Sequence, residues 1–102
     1  MLKLKPNCEF CNRDLPPVSE EAMICSYECT FCRDCTENLL CNVCPNCGGG
    51  FVPRPVRPAT ARREGVSIQH HPASEERVHS RYSKLEIETF SRKIRNISPE
   101  NR

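Results

Sequence analysis

Nine cysteines lie within the first 47 residues of this 102-residue chain, and none follows. They run Cys8-x2-Cys11, Cys25-x3-Cys29-x2-Cys32-x2-Cys35 and Cys41-x2-Cys44-x2-Cys47. Two cysteines separated by two residues can grip one cation from a tight turn, and four thiolates complete the tetrahedral shell of a structural zinc site. Eight of the nine supply two such shells, so the spacing predicts two zinc ions with Cys41 as the spare thiol. In sequence order the ligands divide as Cys8, Cys11, Cys25, Cys29 and Cys32, Cys35, Cys44, Cys47. Interleaved, Cys8, Cys11, Cys32 and Cys35 form site one, while Cys25, Cys29, Cys44 and Cys47 form site two. The spacing admits both wirings, and interleaving locks a longer loop. Cys41 could replace Cys44, but Cys44-Pro45-Asn46-Cys47-Gly48 is the better-formed ligand turn.

Competing cysteine chemistries fit less well. Disulfides hold many small secreted domains together, but the odd count leaves one thiol over. The opening Met-Leu-Lys-Leu-Lys-Pro also lacks the apolar run of about 7–15 residues in a secretory signal. No stretch has the roughly 18 apolar residues of a membrane span, so the expectation is a soluble, cytoplasmic protein. A bacterial ferredoxin cluster needs C-x2-C-x2-C-x3-C-P; here five residues separate Cys35 from Cys41, and the proline follows Cys44. Iron–sulfur or rubredoxin-like iron is therefore the weaker assignment. Redox exchange at a C-x2-C pair expects a surrounding βαβ pattern, which is missing. His70, His71 and His79 sit in a polar stretch and read as solvated rather than as a third site.

The elements that must position these thiols are short. Residues 1–51 form the cysteine-rich head. Leu15-Pro16-Pro17 is a rigid turn in its long loop, and Arg33–Leu40 predicts a short helix. Apolar residues are few, and domains below roughly 40–60 residues bury too little to fold unaided. A structural zinc site supplies about 10–16 kcal/mol, so metal decides whether the head folds. Residues 52–80 read as a linker: a proline-spaced, extended arm from Val52 to Pro58, then a polar, mobile stretch. Residues 81–98 predict an amphipathic helix, with Ser83-x-x-Glu86 as its capping box. Its core, over about Lys84–Asn96, carries Ile87, Phe90 and Ile94, with Ile97 just beyond, at helical spacing. Residues 99–102 are expected to be disordered.

Charge divides along the same line. Residues 1–50 carry four Lys and Arg against seven acids, a net of −3, and residues 51–102 carry eleven against six, a net of +5. Because a four-thiolate zinc site is formally about −2, loading both sites takes the head to about −7. An acidic head argues against general nucleic-acid affinity.

The order C-x2-C, long loop, C-x3-C-x2-C-x2-C, short helix, C-P-x-C resembles the RING finger, a treble-clef-related fold that braces two zinc sites across each other. The resemblance covers residues 8–47 and implies the interleaved wiring. Cys29-Thr30-Phe31-Cys32 is similar to the RING stretch that usually carries a histidine, and Cys44-Pro45-Asn46-Cys47 to its closing pair. Pro6-Asn7-Cys8, Arg13-Asp14-Leu15-Pro16-Pro17, Glu28-Cys29-Thr30-Phe31-Cys32, Val43-Cys44-Pro45-Asn46-Cys47-Gly48-Gly49 and Arg54-Pro55-Val56-Arg57-Pro58 resemble a bacterial cysteine-rich family catalogued as domain of unknown function 1272. That family implies zinc and supplies no activity; residues from about Glu64 onward are less typical of it. Ubiquitin-ligase activity does not carry over. Gly48 stands where active RING ligases place a basic side chain, and the loop from Cys35 to Cys44 is short. Phe10, Leu39 and Pro45, at positions where a RING touches its conjugating enzyme, are expected to cover metal sulfurs.

The combined expectation is a small metal-stabilised domain, RING-like, with short β-hairpins, one short helix, an extended linker and a C-terminal helix. Its expected role is a non-catalytic structural-zinc module that binds a macromolecular partner, protein before nucleic acid, with no membrane. Candidate contacts are Arg54, Arg57, Arg62 and Arg63 of the arm and Ile87, Phe90 and Ile94 of the helix, which could also pair two copies as a homodimer. The alternatives are a thiol-based metal-handling or redox protein and a nucleic-acid-binding zinc finger.

Overall fold

The computed structural model describes residues 1–102. A three-stranded antiparallel sheet is laid down by strands β1 (Ala22–Ile24), β2 (Thr30–Cys32) and β3 (Val52–Pro53), in the order β2-β1-β3. Met23 faces Phe31 across β1 and β2, and Ile24 faces Val52 across β1 and β3. The β1–β2 turn is closed by a bond from Cys25 N–H to the Cys29 carbonyl (3.2 Å), with Glu28 left-handed at φ 67°. Pro53 is tolerated because β3 is an edge strand, where a missing N–H breaks no inner ladder. The arm from Val52 thus begins as sheet, a correction to the expectation of a wholly unpacked linker.

The helix expected at Arg33–Leu40 forms as a tight segment whose main part, Cys35–Leu39, winds as a π turn; Leu40 N–H reaches the Cys35 carbonyl at 2.8 Å. Helix α1 covers Lys84–Ile94. The Ser83 hydroxyl accepts from Glu86 N–H (3.2 Å) and the Glu86 carboxylate from Ser83 N–H (3.0 Å), the capping box read from the sequence. These bonds hold the Glu86 carboxyl below the usual carboxylate range. The C-terminus, expected to be disordered, instead forms a 3-10 turn at Pro99–Asn101, and Arg102 anchors it on carbonyls of the head. No helix is long and apolar enough to cross a membrane.

One cluster of 13 buried residues forms the core, and six of them are cysteines. Hydrocarbon comes from Leu15, Ala22, Met23, Phe31, Leu40, Phe51 and, from α1, Ile87. Phe31 and Phe51 meet edge to face at 5.6 Å between centroids. With sulfur supplying nearly half of the cluster's residues, the interior is as much ligand as hydrophobe.

Residues 59–80, expected to be mobile, lie against the head as a strap. The reason is polar pairing that periodicity does not show. The fully buried Asn7 donates to the Val78 carbonyl (2.8 Å) and accepts from Val78 N–H (3.2 Å). Ser80 N–H donates to the Glu9 carbonyl (2.6 Å). Arg77 grips Asn12 and pairs with Asp14 at 2.8 Å. Arg54 and Arg57, candidate partner contacts, are also corrected. Arg54 is only 5% exposed, and its guanidinium donates to the carbonyls of Lys5, Leu15 and Pro16 at 2.8–3.1 Å. Burial lowers its pKa. Arg57 donates to Leu2 and His71 carbonyls. Both guanidiniums tie segments together, leaving Arg62 and Arg63 as the exposed pair.

Replacing Arg54 by methionine strips three carbonyls, one buried and two part-buried, of a charged donor. The expected loss is about 2–4 kcal/mol in urea unfolding of the metal-loaded protein. Arg54→Lys should restore only part of it, because one ammonium cannot reproduce the fork.

Candidate metal centres

Cys8 and Cys11 flank a tight turn built by Asn12 N–H to the Cys8 carbonyl (3.0 Å) and Cys8 N–H to the Arg13 carbonyl (2.8 Å), with Asn12 left-handed at φ 65°. Glu9, inside this turn, is buried. Its carboxylate pairs with Lys5 at 3.1 Å and accepts from Thr30 N–H at 2.5 Å, fixing the turn on β2. Cys32 ends β2 and Cys35 opens the π turn, so strand and helix deliver the second pair. The four sulfurs Cys8, Cys11, Cys32 and Cys35 all lie within 4.8 Å of one another, and only Cys11 is exposed. Cys11 and Cys32 sulfurs are 3.7 Å apart, and Cys35 N–H donates to Cys32 Sγ at 3.4 Å.

The second cluster joins Cys25, at the end of β1, to Cys44 and Cys47 in the glycine-flanked loop, again within 4.8 Å of one another. Cys29 neighbours Cys25 and Cys44 but falls outside that mutual grouping. The Asn46 amide donates to its sulfur at 3.3 Å. Tyr27 N–H and Gly49 N–H point at Cys25 and Cys47 sulfurs, each at 3.4 Å. The grouping is the interleaved one: Cys25 sits apart from Cys8 and Cys11, and Cys32 and Cys35 apart from Cys44 and Cys47. Cys41 belongs to neither group; it is half-buried, with Arg95 donating to it at 3.7 Å. No histidine joins either cluster.

Both donor sets fit a soft divalent cation. All nine cysteines are free thiols, and the grouped sulfurs offer no oxygen or nitrogen to a harder ion. Their acidities show why a cation belongs there. Thiol hydrogen bonds from Cys29 and Cys44 hold Cys25 down to about 3, while the same bonding to Cys25 and Cys29, then burial, pushes Cys44 up. Burial, then the charge of Cys8, pushes Cys35 up, and burial raises Cys32. At Cys11 burial opposes ionisation, but hydrogen bonds from Arg13 and the neighbouring thiols outweigh it and lower its pKa. Protons are thus shared unequally among crowded sulfurs, and a divalent ion replaces those protons and lets every ligand ionise.

The family described as Protein of unknown function (DUF1272) matches residues 1–57. A Rhizobium meliloti protein, described as uncharacterized, is 56% identical over 78 residues, covering 76% of this chain and 86% of that protein. The chain belongs to the DUF1272 family. No solved structure matches it. The match to DUF1272 takes in every cysteine and Arg54, and stops short of the strap and α1.

Several residues of this DUF1272 site escaped sequence reasoning. Asn7 and Glu9 are polar and stand beside ligands, so composition assigns them to a surface. Asn46 lies in a ligand turn, a position from which an amide can reach a neighbouring sulfur. Ser91 falls one turn beyond Ile87 on the inward face of α1, and that position was the available signal. Of the helix candidates, Ile87 is corrected, since it is 1% exposed inside the core. Ile94 packs over Gly48, and Phe90 is 38% exposed.

Protons compete with the cation for every thiolate ligand, so cation affinity is expected to fall as pH drops below neutral and to recover on titration back. Cys44→Ser is expected to halve metal content while leaving the site-one cation bound, as read by elemental analysis. Loss of both ions would show that the sites do not form separately.

Proposed function

We propose that this chain is a two-zinc, RING-like cross-braced module without catalytic activity, which acts by binding a protein partner. The observation that carries this reading is the interleaved pair of all-cysteine clusters. Each set of sulfurs comes from two distant stretches of chain. An ion in the first site would pin the N-terminal turn to the end of β2 and the π turn, and one in the second would pin the end of β1 to the 41–50 loop. Zinc suits a four-thiolate shell, which the first cluster offers as it stands and the second offers once Cys29 closes on its three sulfurs. A filled shell leaves no coordination position for substrate. The metal's work is then structural, and activity moves to the surface.

That surface favours protein over nucleic acid. Arg54 and Arg57 spend their donors on backbone carbonyls, which removes half of the basic arm from phosphate contact. A cavity of about 430 Å³ opens between Pro45 and α1, lined by Tyr82, Leu85 and Phe90. Leu85 is 69% exposed beside it, an apolar anchor of the kind protein interfaces use. Ligase-type transfer is not part of the proposal, since Gly48, left-handed at φ 81° and packed against Ile94 and Phe90, stands where a basic side chain would be needed.

The test is retention of proteins from a bacterial lysate on the zinc-loaded chain and on its Phe90→Ala and Cys44→Ser forms. A protein kept by the loaded chain, resistant to nuclease and lost from both variants is the expected result. Retention abolished by nuclease or moderate salt would favour a nucleic-acid ligand. Equal retention by all three forms would contradict the proposal.

A further inference from the structure

The two metal sites are hydrogen-bonded by different parts of the chain, although helix α1 also packs on the π turn that supplies Cys35. Around site one the clamps are Asn7, Glu9 and Asn12, meeting the strap at Val78, Ser80 and Arg77. No hydrogen bond from residues 84–102 reaches that turn. Site two is the reverse: residues 84–102 close on the loop that carries Cys44 and Cys47. Buried Ser91 donates its hydroxyl to the Leu40 carbonyl at 2.8 Å, where the π turn that begins at Cys35 runs into that loop. Arg102 donates to the carbonyls of Asn42 (2.7 Å) and Gly48 (3.2 Å), one on each side of the ligand pair.

Packing follows the same pattern. A Cβ placed on Gly48, next to Cys47, would lie 3.3 Å from Ile94 and 3.7 Å from Phe90, and one on Gly50 would lie 3.0 Å from Pro99. The loop needs this help. Cys41 and Asn42 are consecutive left-handed residues at φ 49° and 60°, a costly conformation for side-chain-bearing residues, and Gly48 follows at φ 81°. Cys47 is exposed, so its sulfur is reachable from solvent once the loop loosens. The clamp itself is light. α1 has 11 residues, a length that is marginal without docking, and only Ile87 and Ser91 are buried.

We propose that residues 83–102 are a latch on the second metal site: docked, they retain its cation; undocked, they let it exchange with a thiolate acceptor while site one stays loaded. This rests on the two-metal reading above. In the exchange, an incoming thiolate forms a bond to the cation as the Cys47 bond breaks. The freed Cys47 sulfur takes a proton from solvent, and no electrons move. A partner that draws α1 away would therefore open the second site.

The experiment uses the full chain loaded with cadmium, whose two sites give separate NMR signals assigned with Cys11→Ser and Cys47→Ser. A dithiol chelator is then added to wild type, Ser91→Ala, Arg102→Ala and the strap variant Arg77→Ala. Ser91→Ala and Arg102→Ala each remove latch bonds without touching a ligand. Arg102→Ala is expected to speed loss of the site-two signal about tenfold, leaving site one at the wild-type rate. Ser91→Ala, whose bond also steadies the π turn, is expected to speed site two more than site one. Arg77→Ala should not speed site two. Parallel acceleration of both signals, or unchanged rates in the latch variants, overturns the latch and leaves the metal reading standing. A wild-type chain that binds fewer than two cations overturns both.

Discussion

Crowded sulfur is the constraint on which the rest of this fold depends. Six cysteines sit in a core of 13 residues, and they share protons so unevenly that some thiols are pushed far up while Cys25 is held near 3. A cation in each cluster would replace those protons, and that exchange would stand in for the hydrocarbon the head lacks. The short strands, the π turn and the left-handed residues of the loops are tolerable because ligands and hydrogen bonds fix them from several sides.

The interleaving explains the placement of the polar clamps. Each ligand pair comes from a turn that a neighbouring segment must hold in register, so buried polar residues collect beside the thiols. Glu9 bridges Lys5 and the backbone of β2, Asn7 joins the first turn to the strap, and Arg54 draws the amino-terminal stretch onto the proline turn. These groups are costly to bury singly; Asn7 and Glu9 have their partners in place, and Arg54 is bonded through both terminal nitrogens while its Nε is left without one. The same logic assigns the carboxyl-terminal residues to the loop of the second cluster.

The two ligand turns were legible because C-x2-C spacing is a local geometric requirement. The capping box at Ser83 and Glu86 was legible for the same reason. The wiring was not legible from spacing alone, since both pairings satisfy every local rule; the RING resemblance pointed to the interleaved one, and the folded chain adopts that grouping. The strap was misread as mobile. Its affinity for the head rests on side-chain amides and guanidiniums meeting backbone carbonyls far away in sequence, and no periodicity encodes such contacts. Arg54 and Arg57 were misread because arginine spaced by proline looks like a basic arm until the carbonyls it satisfies are known. Cys29, which the interleaved wiring implied by the RING resemblance puts in the second site, stands beside that trio of sulfurs, bonded to Asn46, rather than within their common span.

Native mass spectrometry of the intact chain tests the central claim most directly. The account predicts a compact species carrying two zinc ions, which shifts to the broad, highly charged distribution of an unfolded chain when the metal is stripped under reducing conditions. A compact species of the same charge with no metal, or with its sulfurs joined in disulfides, would contradict it.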